Sequence, residues 1–285
     1  MIGQQALLNQ IDWMCKAGCF PRFSIIVGVR GSEKLEIAKY IAKQLQAITY
    51  TTPDNKIDRV RDIIEEAYKI THTMVYIIND ADDMSIPAKN ALLKVTEEPP
   101  NNAYFIMTLE DANNTLDTIK SRAVILTMEP YSRDNLLGYA MDVFGAQKLD
   151  GDLRDIITSL CATPGDIDLL NTMNPFEFYS YVEKVVDNIN TPNGANAFKI
   201  AEKVALKDET DKYDLTMFWR ACCKSFGYRA RIHLHSAVES DTVLYVGYLA
   251  AVKATSAALK KLSIRGVNKQ MLFDEWLLKV REVLR

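Results

Sequence analysis

The chain has 285 residues, enough for about two domains with a buried core. Apolar residues make up 48 %, charged residues 25 %, and the formal net charge is -3, which excludes a chain that is basic throughout. Asp12 and Lys16 interrupt the first apolar stretch, and the longest apolar run, at 243–252, is too short to span a bilayer. We therefore expect no signal segment, no membrane contact and a cytoplasmic location.

The first 130 residues alternate between helical and strand patterns, which predicts a parallel sheet covered by helices. Ser85 can cap a helix that carries the segment NALLKVTEE, and Pro99-Pro100 ends that helix because proline supplies no N–H group. The other predicted elements are helices over 4–16, 32–46, 57–70 and 114–120, and strands over 23–27, 48–51, 74–78, 103–108 and 123–128.

From residue 132 onward the pattern is almost wholly helical. Three short helices, over 132–143, 152–162 and 165–172, have the size of a helical lid. Beyond Asn174-Pro175 we predict helices over 176–188, 195–206, 214–232, 240–262 and 268–284. The fold class predicted is α/β, with a core at 1–130, a helical lid at 131–174 and an all-α domain at 175–285.

The turn after the first strand has the pattern of a degenerate phosphate loop. A working loop cradles phosphate with backbone N–H groups, a Lys and a magnesium-binding Ser or Thr, and here Gly28, Gly31 and Lys34 are in place. Glu33 replaces the glycine before the lysine and adds a negative charge, while Leu35 removes the magnesium ligand. An inert strand-to-helix turn is the simpler interpretation of this segment.

The apolar strand at 75–78 ends in Asn79 and Asp80, where a second nucleotide motif would supply an Asp for magnesium and a Glu for water. Asn offers only a neutral carbonyl, and Asp is one methylene shorter than Glu. Asp82 and Asp83 follow, and we interpret them as structural acids at a helix start.

Five cysteines, at 15, 19, 161, 222 and 223, form no C-x-x-C pair and have no His at ligand spacing. Cys15 and Cys19 are four residues apart, but two thiols without further ligands do not make a zinc site. We expect no metal, zinc included, and reduced structural thiols.

The segment NALLKVTEEPP at 90–100, placed just after a strand that ends in acids, resembles the clamp-loader branch of the AAA+ superfamily. Within that branch the chain is most similar to the delta-prime subunits of bacterial DNA polymerase III clamp loaders, although it lacks the four-cysteine zinc module of many relatives. The resemblance implies an AAA+ P-loop-type sheet with a small lid and an all-α collar domain.

The same resemblance suggests roles for single residues. Leu109 stands where a sensing polar residue is expected, with Thr108 a possible substitute, and Gly165 stands where active relatives have an arginine. The segment 118–122 is similar to the family's "SRC" motif, so Ser121 and Arg122 would supply an arginine finger to a neighbouring subunit. Ala123 replaces the usual Cys, and a simple surface arginine is the alternative.

The resemblance implies a stator-like subunit that does not hydrolyse ATP and binds it weakly or not at all. Its partners would be the other subunits of a hetero-oligomeric ring, a sliding clamp and primer-template DNA. Two alternatives stay open. Lys34 and Asp80 are compatible with an active AAA+ ATPase such as a helicase loader, and the ring surface could belong to a stand-alone module that binds a host clamp loader.

Overall fold

The computed structural model describes residues 2–149, 151–189, 214–234, 239–262, 264 and 267–284. Over these residues the chain forms two compact units. The first comprises 1–136 with 163–165, and the second comprises 137–162 with 166–285. The predicted helix over 195–206 lies outside the described residues.

The first unit contains a five-stranded sheet in the order β2-β3-β4-β1-β5, and every strand is parallel to its neighbours. The strands are β1 (Phe23–Val27), β2 (Ile48–Thr51), β3 (Met74–Ile78), β4 (Ala103–Leu109) and β5 (Val124–Thr127). The helices are α1 (Gln5–Lys16), α2 (Lys34–Gln44), α3 (Ile57–Ala67), α4 (Ile86–Ala91), α5 (Leu93–Glu97) and α6 (Asp117–Lys120), and α7 (Arg133–Phe144) follows the sheet.

Alternation along the strands places the apolar side chains on both faces of the sheet. In β3, Tyr76 packs with the apolar faces of α3, α4 and α5, whereas Val75 and Ile77 pack with those of α1 and α2. Helices therefore cover both faces, and the prediction of an α/β parallel sheet followed by a helical region is confirmed.

The segment NALLKVTEE forms two helices, so the prediction of one continuous helix was wrong. At Leu92 the backbone N–H donates to the Lys89 carbonyl, three residues back, at 3.1 Å. This bond tightens the chain into a 3₁₀ turn that separates α4 from α5. Ser85 caps α4 as predicted, its hydroxyl accepting from the Ala88 N–H at 3.4 Å.

The second unit is helical throughout its described residues. Its elements are α8 (Gly151–Leu160), α9 (Pro164–Thr172, which begins in the first unit), α10 (Pro175–Ile189), α11 (Leu215–His233), α12 (Glu239–Leu262) and α13 (Lys269–Val283). Aromatic rings of α11 and α13 pack together in its core, with Trp219 and Phe273 stacked at 6.2 Å. Trp276 donates its indole N–H to Thr255 of α12 at 2.9 Å.

The residues Asp241–Leu262 of α12 make a helix long and apolar enough to cross a membrane by length and composition alone. The apolar run counted in the sequence was shorter because Lys253 and several hydroxyl residues interrupt it. Core helices of globular proteins pass the same test, and α12 packs against α11 and α13. A single helix of this kind is weak evidence for a membrane protein.

Candidate functional site

The predicted nucleotide motifs meet at one edge of the sheet. β1, β3 and β4 are parallel, so their carboxyl ends lie side by side, with Val27 opposite Leu109 and Ile78 opposite Met107. The degenerate loop follows β1 and Asn79-Asp80 follows β3. The motifs found in the sequence therefore lie at the edge where open α/β sheets bind ligands.

The loop has an unusual backbone conformation just before α2. Glu33 adopts a left-handed conformation, with φ at 60°, and α2 begins at the next residue. A left-handed conformation is strained for a residue with a long side chain, and glycine would relieve that strain. One carboxylate oxygen of Glu33 is buried without a hydrogen-bond partner among the described residues. This buried oxygen adds negative charge to a turn that, in a working loop, approaches phosphate.

The lysine of the loop is directed toward the loop's own backbone. Lys34 is buried, and its Nζ donates to the carbonyls of Gly28 at 2.9 Å and Val29 at 3.3 Å. Burial lowers the pKa of Lys34, and the negative charges of Asp80 and Glu110 partly oppose that shift. The two loop carbonyls use two of the three N–H donors of this ammonium group.

A segment from the start of α9 closes over the loop, and it belongs to the same compact unit. The Gly165 N–H donates to the Gly31 carbonyl at 3.0 Å. A Cβ atom on Gly165 would lie 2.7 Å from the Gly31 Cα, and one on Gly31 would lie 2.6 Å from the Thr163 Oγ1. The position that would hold an arginine in active relatives is thus a glycine in direct backbone contact with the loop.

The residues after β3 form a closed hydrogen-bond network. The Asn79 side-chain oxygen Oδ1 accepts from the Thr108 hydroxyl at 2.9 Å, and its side-chain Nδ2 donates to the Asp80 carboxylate at 2.9 Å. Thr108 in turn accepts from the Asp80 N–H at 2.8 Å. The oxygen and the nitrogen of the Asn79 side-chain amide therefore both form hydrogen bonds within the protein. Leu109 lies in the apolar core, which leaves Thr108 as the polar residue of this strand end.

Asp82 organises the loop that follows β4. Its carboxylate accepts from the Glu110 N–H at 2.9 Å and from the Asn114 amide at 2.7 Å. The buried Lys89 donates to the backbone carbonyls of Asp82 and Asn114. Through these contacts, Asp82 and Lys89 stabilise the loops at this edge of the sheet.

The proposed arginine finger lies elsewhere. Arg122 follows α6, and its guanidinium donates to the Thr118 carbonyl at 2.8 Å and lies 3.2 Å from the Glu97 carboxylate. The Ser121 hydroxyl donates to the same Thr118 carbonyl at 3.1 Å. Both side chains are exposed, so the structure presents the arginine on the surface.

The sheet separates Arg122 from the phosphate loop of its own chain. Arg122 precedes the amino end of β5, whereas Gly28 follows the carboxyl end of β1, and the two strands are parallel neighbours. Four strand residues lie between these edges, which corresponds to at least about 13 Å. The structure therefore does not bring Arg122 together with Gly28, Gly31, Lys34 and Asp80.

Several contacts at the carboxyl edge of the sheet and around Arg122 could not be predicted from the sequence. Asn55 donates to the carbonyls of Asn79 at 2.8 Å and Asp80 at 3.1 Å, and the Tyr131 hydroxyl donates to the Ser32 carbonyl at 2.8 Å. The pairing of Glu97 with Arg122 joins two motifs that are 25 residues apart. Each contact depends on how the loops are folded, so no local pattern could have indicated it.

No cluster of three His, Cys, Asp or Glu side chains suited to a metal ion occurs in the described ranges. Cys15 is half-buried and Cys19 is exposed. The expectation that the protein holds no zinc stays a prediction, which elemental analysis of the purified protein would test.

Comparison with known proteins gives consistent matches. A family model described as "DNA polymerase III, delta subunit" matches residues 32–132. DNA polymerase III subunit gamma of Buchnera aphidicola subsp. Schizaphis graminum is 23 % identical over 235 residues, 71 % of this chain and 63 % of that protein. Replication factor C subunit 4 of Saccharomyces cerevisiae is 23 % identical over 205 residues, 62 % of this chain and 63 % of that protein. The chain spans less than two thirds of either relative.

Among solved structures, the RuvB Holliday junction branch migration motor of Thermotoga maritima aligns with a TM-score of 0.52 at 16 % identity. The alignment covers 97 % of this chain and 87 % of that one. At this identity the likeness concerns the fold alone, a parallel sheet followed by helices.

Proposed function

Because this chain belongs to the AAA+ clamp-loader family, we propose that it is a stator-like, delta-prime-type subunit that does not hydrolyse ATP. In this proposal it joins a hetero-oligomeric ring, lends Arg122 to the ATP site of a neighbouring subunit, and takes part in loading a sliding clamp onto primer-template DNA. The observation that carries the proposal is the placement of Arg122 at the sheet edge opposite its own phosphate loop.

The loop geometry supports the absence of ATP hydrolysis. Lys34 donates hydrogen bonds to loop carbonyls, and Gly165 lies against Gly31. The polar side-chain atoms of Asn79 form hydrogen bonds with Thr108 and Asp80. These internal contacts support the absence of a bound nucleotide with its magnesium ion. An unpaired Glu33 oxygen beside the loop adds repulsion toward phosphate, since like charges 4 Å apart repel by about 4 kcal/mol at an effective dielectric constant of 20.

The position of Arg122 supports a role in trans. An arginine at a neighbouring ATP site stabilises the charge of the phosphoryl-transfer transition state, and this effect is worth about 10³ to 10⁵ in rate. Arg122 is exposed, and the edge strand β5 that follows it exposes Val124 and Ile125. Apolar side chains beside a protruding arginine suit a surface that contacts another subunit.

The first test measures nucleotide binding by the isolated chain. We expect no saturable binding of a fluorescent ATP analogue and no steady-state ATP turnover, because the loop is closed by its own backbone. Lys34→Ala serves as the control. Turnover by the natural chain that disappears in Lys34→Ala would refute the stator role and support the active ATPase.

The second test measures the trans role in the complete complex with its ATPase subunits. Arg122→Ala should leave assembly intact and reduce single-turnover hydrolysis at the neighbouring site by about 10³-fold or more. Arg61→Ala, an exposed arginine on α3, is the matched control and should leave the rate unchanged. An unchanged rate in Arg122→Ala would contradict the arginine finger.

A further inference from the structure

The helix end that carries Glu97 meets the helix end that carries Arg122. α5 ends at Glu97 and α6 ends two residues before Arg122, and both lie at the amino edge of the sheet. A Glu97 carboxylate oxygen is 3.2 Å from Arg122 Nη2, while Nη1 of the same guanidinium donates to the Thr118 carbonyl at 2.8 Å. The guanidinium is therefore held at two points by two different helices.

The two contacts restrict the arginine without covering it. A guanidinium has five N–H donors. The Thr118 carbonyl takes one of them, and the Glu97 carboxylate lies 3.2 Å from Nη2 as an ion pair. The Arg122 side chain is 40 % exposed and that of Glu97 is 54 % exposed, so an anion can reach the remaining donors. A long side chain loses rotamer freedom when it is fixed, and here that loss occurs before any partner binds.

We propose that Glu97 is the positioning residue for Arg122. Glu97 and the Thr118 carbonyl fix the direction of the guanidinium in the free subunit, so that it enters a neighbouring phosphate site already oriented. This inference rests on the proposed trans function of Arg122 and adds a residue from the NALLKVTEE segment to it. An exposed ion pair contributes little to folding, so Glu97 can be changed without loss of the fold.

The first experiment examines the free chain and requires no partner. Phenylglyoxal modification of Arg122 is followed by peptide mass spectrometry in the natural chain, in Glu97→Gln and in Glu98→Gln. Glu98 is the matched control because it is adjacent and exposed. We expect modification of Arg122 to be up to about fivefold faster in Glu97→Gln, the change an exposed ion pair supports, and unchanged in Glu98→Gln. Equal rates in all three proteins would overturn the inference.

The second experiment uses the complete complex. Glu97→Gln should lower kcat for ATP at the neighbouring site about twofold to fivefold and leave KM unchanged, because the arginine acts on the transition state. In an Arg122→Ala background the same change should have no further effect. A loss of the same size in that background, or a rate increase in Glu97→Gln alone, would overturn the positioning role.

The two proposals fail in different ways. If Arg122→Ala leaves hydrolysis unchanged while Glu97→Gln still exposes Arg122 to phenylglyoxal, the proposed trans function is wrong, and the positioning role falls with it. If Arg122→Ala abolishes hydrolysis while Glu97→Gln changes neither modification nor kcat, only the inference about Glu97 is overturned.

Discussion

At the scale of single residues, Gly165 lies against the phosphate loop because it has no side chain. Its N–H group donates to the Gly31 carbonyl, and Gly31 leaves no room for a methyl group on the Gly165 Cα. Gly165→Ala would place a Cβ 2.7 Å from the Gly31 Cα, so the backbone must move. We expect a loss of about 1–3 kcal/mol in the free energy of unfolding, the usual cost of overpacking, measured by urea denaturation.

Gly138 offers the matched control for this substitution. It lies in α7, and a Cβ added there meets nothing within 4 Å. Gly138→Ala should therefore stabilise the protein by about 0.5–1 kcal/mol through helix propensity. If Gly165→Ala were as harmless as Gly138→Ala, the contact between this segment and the loop would not be part of the native structure.

The thiols should differ sharply in their reactivity. Burial raises the pKa of Cys161 to about 12, with Asp166 as a further cause, and burial raises the pKa of Cys222 well above its usual range. A thiol with a pKa of about 12 is only about 10⁻⁴ ionised at pH 8, and the thiolate is the reactive form. In native protein at pH 8, iodoacetamide should label the exposed Cys19 and spare Cys161 and Cys222.

Peptide mass mapping would measure this labelling, and urea-unfolded protein provides the control in which all five cysteines react. Because the pKa of Cys161 is raised, its labelling should increase as the pH rises from 8 toward 12. Fast labelling of Cys161 at pH 8 would contradict its burial.

At the scale of elements, the short helices of the first unit connect the motifs. The 3₁₀ turn at Leu92 divides the NALLKVTEE segment, and α5 then ends beside α6, where Glu97 reaches Arg122. The carboxyl edge of the sheet carries the closed loop, and the amino edge carries the exposed arginine. Parallel strands thus separate the loop that follows β1 from the surface that we propose to act in trans.

The two edge strands allow a direct test of which side contacts the ATPase neighbour. Ile125 in β5 and Ile48 in β2 are both exposed isoleucines on edge strands at opposite sides of the sheet. We expect Ile125→Lys to weaken co-purification with the ATPase subunits at least tenfold, because a lysine in a subunit contact loses apolar burial and adds a charge.

Ile48→Lys is the control for this experiment and should leave co-purification unchanged. Thermal unfolding of both free variants should match that of the natural chain, since neither side chain is buried. A weaker complex with Ile48→Lys and a normal one with Ile125→Lys would contradict the orientation proposed here.

At the scale of the whole molecule, the second unit determines how assembly can be tested. Truncation at residue 175 would cut through this unit, which includes 137–162 and 166–174 as well as the C-terminal helices. α8 would lose the helices against which Leu153, Ile156 and Leu160 are buried. Loss of assembly after such a deletion would not separate misfolding from a missing interface, so substitutions at exposed positions are the better test.

The last helix offers two suitable positions. Leu272, Trp276 and Val280 are buried within the second unit, whereas Met271 is 72 % exposed and Leu278 is 58 % exposed. Met271 and Leu278 are seven residues apart and share one face of α13. The apolar surface left for an oligomeric contact is therefore smaller than the helix sequence indicates.

We expect the double variant Met271→Asp with Leu278→Asp to lose ring assembly while the free chain keeps its Tm, because both side chains are exposed. Native mass spectrometry would measure assembly, and calorimetry the Tm. Trp276→Ala is the contrasting control and should cost about 3–5 kcal/mol of stability. A double variant that assembles normally would show that this face of α13 is not part of the collar contact.

Local sequence patterns predict the parallel sheet, the order of its strands along the chain and the helical nature of the remainder. These features follow from local periodicity, because the alternating or helical spacing of apolar residues can be recognised within a short segment. The clamp-loader resemblance likewise came from contiguous motifs such as NALLKVTEEPP. Glu33, Leu35 and Asn79 predict a degenerate nucleotide site, and this stays a prediction.

The contacts between these motifs depend on the tertiary structure. Gly165 contacts Gly31, and Glu97 pairs with Arg122, across 134 and 25 residues of chain. The strand order makes β1 and β5 neighbours, and their parallel direction places Arg122 at the edge opposite its own loop. Burial within the second unit decided which apolar residues of α13 stay exposed. Such contacts depend on how distant segments pack together, and a periodicity read over a few residues carries no information about that packing.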